Sequence, residues 1–519
     1  MNTKCIYLIF KNCSLTTFLL CASQLNAQTL ASASYTPSWQ ARHHLQWLAD
    51  NAGLTLTVSH WPLPAAAVQE ALDKLRVDAQ GDDKGGAQGF NASRDFVLQE
   101  LAAAKFQGRM QVHLRRQSEA MNAYGENYTP GNSVQLSTSE GRSQLGDVSV
   151  AGRLGGRLEV SPNSLQTQFS GVGTEGQNQL RLDGTSAVLG WEGWNLQAFS
   201  RQNWWGPGWQ SSMVNGHNNP AWLGAGIQRG SAAPSDSVWL SWMGPWNLDV
   251  FVAKAQDPRV VQNQPSGFLF SGMRLTMKPK PWLELGLSRG LQTGGAGRPG
   301  GVGNFVRSFW GQRVNQDPGD PVDSSNQVAG YDVRARCPLA WGTCAVYTQW
   351  MGEDAAGKFV PLPYRFMKLY GAEMTYADGR YRTFAEYANT LTTAPYQQEG
   401  LVPGYTNGVY LQGYTQGARW VGSAQGGGSE VTTLGWMDAQ TQRQLKLYLG
   451  RIGLGLGAYS PTANAPHGRL WGVSASQTLR WMGMTLTPEL SYTHLSEGQD
   501  QAVNKRSNLR VGLMMAVPF

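Results

Sequence analysis

The sequence is poor in charge, in cysteine and in long apolar runs. Charged residues make up 15% of the 519 residues, against roughly 25% in ordinary soluble domains, and the formal net charge is +7. Beyond residue 27, no stretch approaches the roughly 18 consecutive apolar residues of a membrane-spanning helix. These absences exclude a helical membrane protein, and an aromatic content of 10% excludes a disordered chain. The mild basic excess gives no reason to expect a nucleic-acid partner.

Common catalytic motifs are missing as well. The chain has no Gly-x-Ser-x-Gly segment, no His-Glu-x-x-His pair and no phosphate-binding glycine loop. His43 and His44 have no partner nearby in sequence, and His217 and His494 are isolated. We predict neither a metal nor a cofactor, and a protein that is not an enzyme. An outer-membrane hydrolase with catalytic residues from distant positions is the third alternative for its function.

Residues 1–27 have the features of a secretory signal peptide. They carry two lysines and no acidic residue, then a short apolar stretch, and end at Ala27, after which we expect cleavage. A lipid anchor at Cys21 is disfavoured, because Leu20 stands where such signals have Gly or Ala. After this segment only Cys337 and Cys344 remain. In an exported protein, two cysteines this close are predicted to form one disulfide across a hairpin turn.

Residues 28–108 are predicted to form a small helical head. Apolar residues recur at helical spacing in three segments, and Pro64 is placed to start the second. The glycine-rich stretch 78–89 is predicted to be a mobile connector between the second and third helices. A head of this size is marginal alone, so we expect it to pack against the rest of the protein. The apolar positions are Ala41, Leu45, Leu48 and Ala52; Val68, Ala71, Leu72 and Leu75; and Val97, Leu101 and Ala104.

Residues 109–519 change to an apolar period of two, which predicts β-strands up to the terminal Phe519. Eight hairpins, a first strand near 109–116 and the last strand give about 18 strands. The tight turns of these hairpins are predicted at Ser161–Asn163, Glu192–Gly193, Met243–Pro245, Lys278–Pro281, Pro338–Thr343, Asp378–Gly379, Asp438–Thr441 and Trp481–Gly483.

Short turns that alternate with long loops are typical of transmembrane β-barrels, whose short turns face the periplasm. We therefore predict a mainly β protein, an antiparallel transmembrane barrel of about 18 strands. The head lies on the periplasmic side, because both ends of the barrel fall at the short turns. An interfacial aromatic girdle is predicted from the tryptophans near these turns, namely Trp191, Trp194, Trp246, Trp282 and Trp481.

Long external loops are predicted at about 203–237, 291–327 and 391–429, with a fourth near 117–146. The first is rich in tryptophan and amides; indole faces stack on sugar rings, while Asn and Arg bind hydroxyls and carboxylates. The alternative is that its indoles form the packed core of a loop folded into the lumen, and both interpretations remain open. The predicted carbohydrate contacts here are Arg201, Trp204, Trp205, Trp209, Asn218 and Trp222.

Arginines in two other loops suit an anionic polymer, because the guanidinium group forms charge-assisted hydrogen bonds with carboxylates. Solvated loop charge is the alternative for each of them. The predicted contacts are Arg298, Arg307, Trp310 and Arg313 in the second long loop and Arg365 in a shorter one.

Two segments resemble the capsule-assembly Wzi family of outer-membrane proteins. One runs from Arg42 to Leu54 and on into residues 59–63, and the other is Trp204–Trp209 (WWGPGW) with Asn218–Pro220. The resemblance implies a lectin in the bacterial outer membrane that anchors capsular or exported polysaccharide, with the head blocking the periplasmic mouth. The last strand, ending in Phe519, resembles the signal of the barrel assembly machinery, and outer-membrane lipid is the expected surrounding. The main alternative is a solute-specific porin or polysaccharide export channel.

Overall fold

A computed structural model describes residues 31–75, 84–118, 132–160, 179–255, 267–295, 297–310, 325–339, 342–353, 365–393, 402–408, 410, 412–417, 419–456, 467–497 and 504–519. Within these ranges the chain forms a helical head followed by one large antiparallel sheet. None of the helices in these ranges is long and apolar enough to span a membrane.

The head contains three helices, α1 Trp39–Asn51, α2 Ala65–Lys74 and α3 Lys84–Phe106. Ser38 caps α1 by accepting a hydrogen bond from the backbone N–H of Ala41, 3.1 Å away. Glu100 of α3 accepts hydrogen bonds from the Tyr35 hydroxyl at 2.7 Å and the Ser38 N–H at 2.9 Å, which ties the start of the head to its last helix. The predicted helical positions Ala41, Leu45, Leu48, Val68, Leu72, Val97 and Leu101 are all buried in one cluster.

Part of the predicted connector is wrong, because α3 already begins at Lys84. The reason lies at its first turns, where Phe90 packs on the Trp47 ring with centroids 4.5 Å apart. Gly89 fits there because an added Cβ would lie only 3.0 Å from the Trp47 ring. Burial of these rings favours a helix over the flexibility that the glycines alone predict.

The described residues contain eighteen barrel strands, four of them in two consecutive segments. They are β1 Arg109–Gln117, β2 Ser133–Ser137 with Gly141–Leu145, β3 Val148–Arg153 with Gly155–Glu159, β4 Gln179–Arg181 with Ser186–Trp191, β5 Trp194–Arg201, β6 Trp222–Arg229, β7 Trp246–Lys254, β8 Leu269–Lys280, β9 Leu283–Thr293, β10 Ser325–Leu339, β11 Gly342–Gly352, β12 Phe366–Tyr376, β13 Tyr381–Thr393, β14 Glu430–Asp438, β15 Arg443–Ile452, β16 Gly468–Gln477 with Leu479–Trp481, β17 Met484–Glu497 and β18 Asn504–Pro518.

The strands close into a ring. Each strand pairs with the next along the chain, and β18 returns to pair with β1 over nine residues, from Arg510 opposite Gln117 to Pro518 opposite Arg109. The second, third and fourth strands pair in the same order through both of their segments. The predicted antiparallel barrel and its strand number are therefore confirmed.

Side chains alternate across the wall of the barrel. On β15, Leu445, Leu447 and Leu449 are exposed on the outer surface, whereas Tyr448 between them is buried inside. An apolar outside and a largely polar inside are typical of a barrel that spans a lipid bilayer. The period-two pattern of the sequence therefore reports which residues face lipid.

The connection between β6 and β7 corrects two predictions. The expected external loop 203–237 contains β6, so Trp222 is a strand residue, and residues 230–245 form a longer connection at the short-turn end. Leu240 and Met243 in this connection pack on the outer face of the wall against Trp246. Leu240, which recurs at a period of two as in the strand expected before the Met243–Pro245 turn, instead covers the outside of the barrel with Met243, while Val238 and Trp242 are exposed.

Three of the five predicted girdle tryptophans are exposed at the short-turn ends. Trp191, Trp282 and Trp481 have 49% to 58% of their surface exposed. Trp246 is fully buried, so its prediction is wrong. The covering connection excludes solvent and lipid from its ring, and the Arg229 guanidinium lies 4.0 Å above the ring centroid. Trp194 is partly buried beside it.

The turn predicted at Ser161–Asn163 lies outside the described residues, and the hairpin between β2 and β3 turns instead at Gly146–Asp147. The disulfide prediction is confirmed. Cys337 and Cys344 face each other across the β10–β11 hairpin, with Cα atoms 5.0 Å apart, and are bonded. This bond closes the end of the hairpin that lies on the side of the head.

Candidate functional site

The head closes the short-turn end of the barrel. Lys278, at the end of β8, donates a hydrogen bond to the Ala49 carbonyl at 2.8 Å, and Arg334 of β10 forms an ion pair with Asp50 at 2.6 Å. The Glu284 carboxylate on β9 accepts hydrogen bonds from the backbone N–H groups of residues 58 and 59. All three barrel residues lie near short turns. Polar contacts with the barrel wall therefore hold the head in the short-turn end.

His43 of α1 is buried in this contact, whereas His44 is partly buried and bonds to Ser93 of α3. Burial, with the positive charge of Arg382 nearby, lowers the pKa of His43 well below its usual value and that of His44 to about 4. His43 is therefore neutral near pH 7, with Nε2 bonded to the Gly379 carbonyl at 2.6 Å and Nδ1 accepting from Arg382 at 3.0 Å. A neutral imidazole satisfies both partners, which gives this histidine a structural rather than a catalytic position.

The loop between β5 and β6 enters the lumen from the opposite end and reaches the head. Trp204 and Trp205 pair as a short antiparallel bridge with Trp61 and His60 of the head. Arg42 of α1 donates hydrogen bonds to the carbonyls of residues 207 and 208 at 3.1 and 2.7 Å. The head and this loop therefore meet inside the barrel.

Carboxylates on the barrel wall hold the loop backbone. Glu386 of β13 accepts hydrogen bonds from three consecutive backbone N–H groups, those of Trp209, Gln210 and Ser211, and from the Tyr347 hydroxyl at 2.8 Å. On the neighbouring strand, Glu373 accepts from the Trp209 indole N–H at 2.5 Å and pairs with two arginines, Arg334 and Arg382. Such buried carboxylates are tolerated only when donors surround them.

The loop between β13 and β14, in residues 402–429, interlocks with the β5–β6 loop. The Tyr405 hydroxyl donates to the Met213 carbonyl at 2.8 Å, and the Tyr414 hydroxyl donates to the Val214 carbonyl at 3.0 Å. Burial raises the pKa of both tyrosines, so they remain neutral donors. The two loops and the facing wall share one apolar cluster, which fills the lumen along this side.

The residues predicted as sugar contacts in the β5–β6 loop are packed inside the lumen. Trp204, Trp205 and Trp209 are at most 5% exposed, as is Trp222 of β6, and Asn218 is fully buried. Their rings pack on other side chains, so no indole face is open to a sugar. Burial supports the packing alternative, and carbohydrate contact through these residues stays a prediction.

Arg201 has an equally internal position. Its guanidinium pairs with Asp249 at 2.5 Å, and His60 lies 3.5 Å from the same carboxylate oxygen. The arginine is 8% exposed, which leaves little surface for a ligand carboxylate. Its charge is already neutralised by the barrel wall.

The described part of the loop between β9 and β10, which was predicted at about 291–327, presents an exposed surface. It contains helix α4, Val302–Phe309, whose last carbonyls accept hydrogen bonds from Arg289 of β9, the one at Ser308 at 3.0 Å. Arg307 is exposed, Trp310 at the end of the helix is 60% exposed, and Arg298 is partly exposed. This external surface combines an accessible indole with guanidinium groups. We name Arg298, Arg307 and Trp310 the external helix surface.

Two further contacts were predicted from the sequence, Arg365 and Arg313. Arg365 is partly exposed at the start of β12, with a φ of 58°, and Arg313 lies outside the described residues. Among the described residues, no group of three or more His, Cys, Asp or Glu side chains is arranged to hold a metal ion.

The charged wall residues that hold the head and the β5–β6 loop in the lumen were not predicted from the sequence. Glu373, Arg382 and Glu386 alternate with outward apolar residues in β12 and β13, so their inward position was readable from the period of two. Their partners in the head and loop were not, because those contacts join positions more than 150 residues apart.

Comparisons with known proteins agree with this architecture. A family model described as capsule assembly protein Wzi matches residues 102–451. A Klebsiella pneumoniae relative, described as an uncharacterized 55.8 kDa protein in the cps region, is 28% identical over 359 residues. That alignment covers 69% of this chain and 65% of the relative, so it spans less than two thirds of the relative's length.

Solved structures resemble the fold. Wzi from Escherichia coli, described as an outer-membrane carbohydrate-binding β-barrel involved in group 1 capsule assembly, is 22% identical, with a TM-score of 0.72. The match covers 94% of this chain and all of that one. OccK10 (OpdN) of Pseudomonas aeruginosa is 9% identical, covers 80% of this chain and 98% of its own, and has a TM-score of 0.43.

Proposed function

Because the chain belongs to the capsule assembly protein Wzi family, we propose that it is an outer-membrane protein that binds capsular or exported polysaccharide and anchors it at the cell surface. The Escherichia coli protein of similar fold is described as carbohydrate-binding, and the Klebsiella relative belongs to a cps region. One observation carries the proposal: the head and the β5–β6 loop meet inside the lumen at Trp61 and Trp204. A polysaccharide conduit needs that space open, whereas an anchor does not.

The external helix surface is the proposed contact for the polysaccharide. An exposed indole can stack on a sugar ring, and guanidinium groups can bind carboxylates in two parallel hydrogen bonds. We therefore propose an acidic polysaccharide as ligand, with Arg313 and Arg365 as further contacts. Burial of the other predicted tryptophans leaves Trp310 as the accessible indole of the predicted set.

The remaining parts of the proposal concern export and assembly. Residues 1–27 act as signal peptide, residues 28–108 form the periplasmic head, and residues 109–519 form the barrel. The barrel assembly machinery recognises the last strand, and lipid surrounds the apolar outer wall. Binding rather than catalysis is the proposed activity, which predicts that polysaccharide incubated with the protein keeps its chain length.

The variant Arg307→Gln/Trp310→Ala tests the external contact. Loss of one charge-assisted pair and one stacking platform is expected to weaken binding of the host's acidic polysaccharide by about tenfold or more. Binding to purified protein is measured by biolayer interferometry at low and high salt, with Lys254→Gln, at the end of β7, as the matched charge control. Unchanged affinity in the double variant, together with clear binding by the wild type, would contradict the assignment of this surface.

A further inference from the structure

The lumen is filled unevenly. Inward side chains beneath the head and the β5–β6 loop have no accessible surface, as for Arg274 on β8, which bonds to Ser59, and Gln349 on β11, which bonds to Trp205. On the opposite wall, formed by β15 to β18 and β1, inward residues such as Lys446, Ser474 and Glu489 are only half-buried. The described loops therefore leave an accessible space along this wall.

Strand register places charged groups side by side along that space. Lys446 lies opposite Ser474, and the row continues through Ser491 to Arg510. One step closer to the head, Glu489 and Arg115 flank Gly512 on its two sides. These two rows thus contain three cationic groups, Lys446, Arg510 and Arg115, and one carboxylate, Glu489.

Gly512 lies in the second of these rows, between Glu489 and Arg115. An added Cβ would lie 3.4 Å from the Glu489 carboxylate and 3.8 Å from His113 Nε2, so any side chain would fill the gap between them. Its φ is not in the left-handed region, so backbone geometry does not require glycine here. Glycine therefore matters here because it leaves the gap between Glu489 and His113 without a side chain.

A cavity of about 620 Å³ leads into this space from the short-turn end. It lies between α1 and α3 of the head and the seam of the first and last strands, and its lining includes Gln99, Gln111, Thr487 and Met514. Thr487 and Met514 are the next inward residues below Glu489 and Gly512 on β17 and β18, so the charged rows begin directly above the cavity. Arg109, Arg480 and Glu100 also line the cavity.

The other end of the space is bounded by apolar residues along β14 to β17. Val431, Tyr448, Ile452, Leu470 and Leu495 form a buried cluster on the side of the long loops. Among the described residues, the accessible wall therefore opens toward the head and ends at this cluster on these strands. We call this space, from the cavity to the cluster, the inner groove.

We propose that the inner groove is a second binding site, which takes a segment of acidic polysaccharide from the periplasmic side. Lys446, Arg510 and Arg115 bind carboxylates or acidic substituents of the chain, while the glutamines and threonines of the mouth bind its hydroxyls. The inference rests on the function proposed above, and it adds a site on the opposite face of the membrane. A cavity of this size fits the range typical of small-ligand sites, which suits a few sugar units.

Cysteine accessibility tests the groove in the full-length protein in lipid nanodiscs. Ser474→Cys places a thiol in the groove, and Ser288→Cys places a matched thiol on β9 beside Arg274, on the filled side of the lumen. Modification by the anionic reagent 2-sulfonatoethyl methanethiosulfonate is expected to be about tenfold faster or more at position 474. Equal rates at both positions would overturn the accessible groove.

Protection from modification tests the ligand. Oligogalacturonate is expected to slow modification at position 474 severalfold, whereas its methyl-esterified form has no such effect, because only the first carries charge. Lys446→Gln/Arg510→Gln is expected to remove the protection; its loss of two positive charges slows the anionic reagent, but modification at position 474 stays faster than at position 288. Absence of protection, in a protein that binds acidic polysaccharide through its external surface, would overturn the inner site alone. Absence of all polysaccharide binding would overturn the proposed function as well.

Discussion

Removing residues 203–220 together with residues 31–108 of the head is expected to convert a nearly non-conducting barrel into an open pore, because the head closes the short-turn end. The deleted loop segment carries Trp204, Trp205 and Trp209, which fill the lumen, and it supplies the backbone groups that Glu386 binds. A barrel of this strand number without a plug is wide enough for a water-filled channel. Conductance in planar bilayers measures the change: rare, small events for the wild type and discrete, large steps for the variant.

The control for this experiment removes residues 302–309 instead. That helix lies on the external side and its residues are mostly exposed, so its loss is expected to leave conductance at the wild-type level. Discrete large steps from the wild-type protein would contradict the plugged state and favour the porin or export-channel alternative. A variant without the head and this loop that remains closed while correctly folded would show that these two segments do not block the pore.

Glu386→Ala is expected to cause the largest loss of stability of any single substitution discussed. The change leaves three buried backbone N–H groups of the loop and the Tyr347 hydroxyl without their acceptor. Each unsatisfied buried group is costly, so we expect a decrease of about 3 kcal/mol or more in the free energy of unfolding. The midpoint of unfolding, followed by heat-modifiable migration on gels, measures the effect.

Glu430→Ala is the matched comparison for that substitution. Glu430 pairs with Arg451 at 2.5 Å, but the arginine side chain is 58% exposed, so solvent screens the pair. Its loss is expected to cost less than about 1 kcal/mol. Similar small shifts for both variants would contradict the view that wall carboxylates hold the plug.

The barrel was predictable because its pattern is local. Residues 509–519 alternate along one strand, and Glu192 and Gly193 form the tight turn at the place that the sequence indicates, both with positive φ. The structure of residues 230–245 was wrongly predicted because the prediction used only local patterns. Leu240 alternates with its neighbours as in a strand, but it packs on the outside of the wall, a contact that no local pattern encodes.

The site was less predictable than the fold. An indole at position 205 and one at position 310 have the same chemistry, and only the folded structure distinguishes a fully buried ring from one that is 60% exposed. The packing of Trp205 depends on His60 and Phe251, which come from the head and from β7. Long-range contacts of this kind decide which tryptophans fill the lumen and which meet a ligand.

Deleting the gene in its host, and comparing cell-bound with medium-released polysaccharide at equal total synthesis, tests the anchoring function most directly. The account predicts that polysaccharide moves from the cell-bound to the released fraction while total export is unchanged. It also predicts that the wild-type gene restores retention and the Arg307→Gln/Trp310→Ala gene does not. Reduced export with polysaccharide accumulating inside the cell would contradict the anchor and assign the protein to the export route.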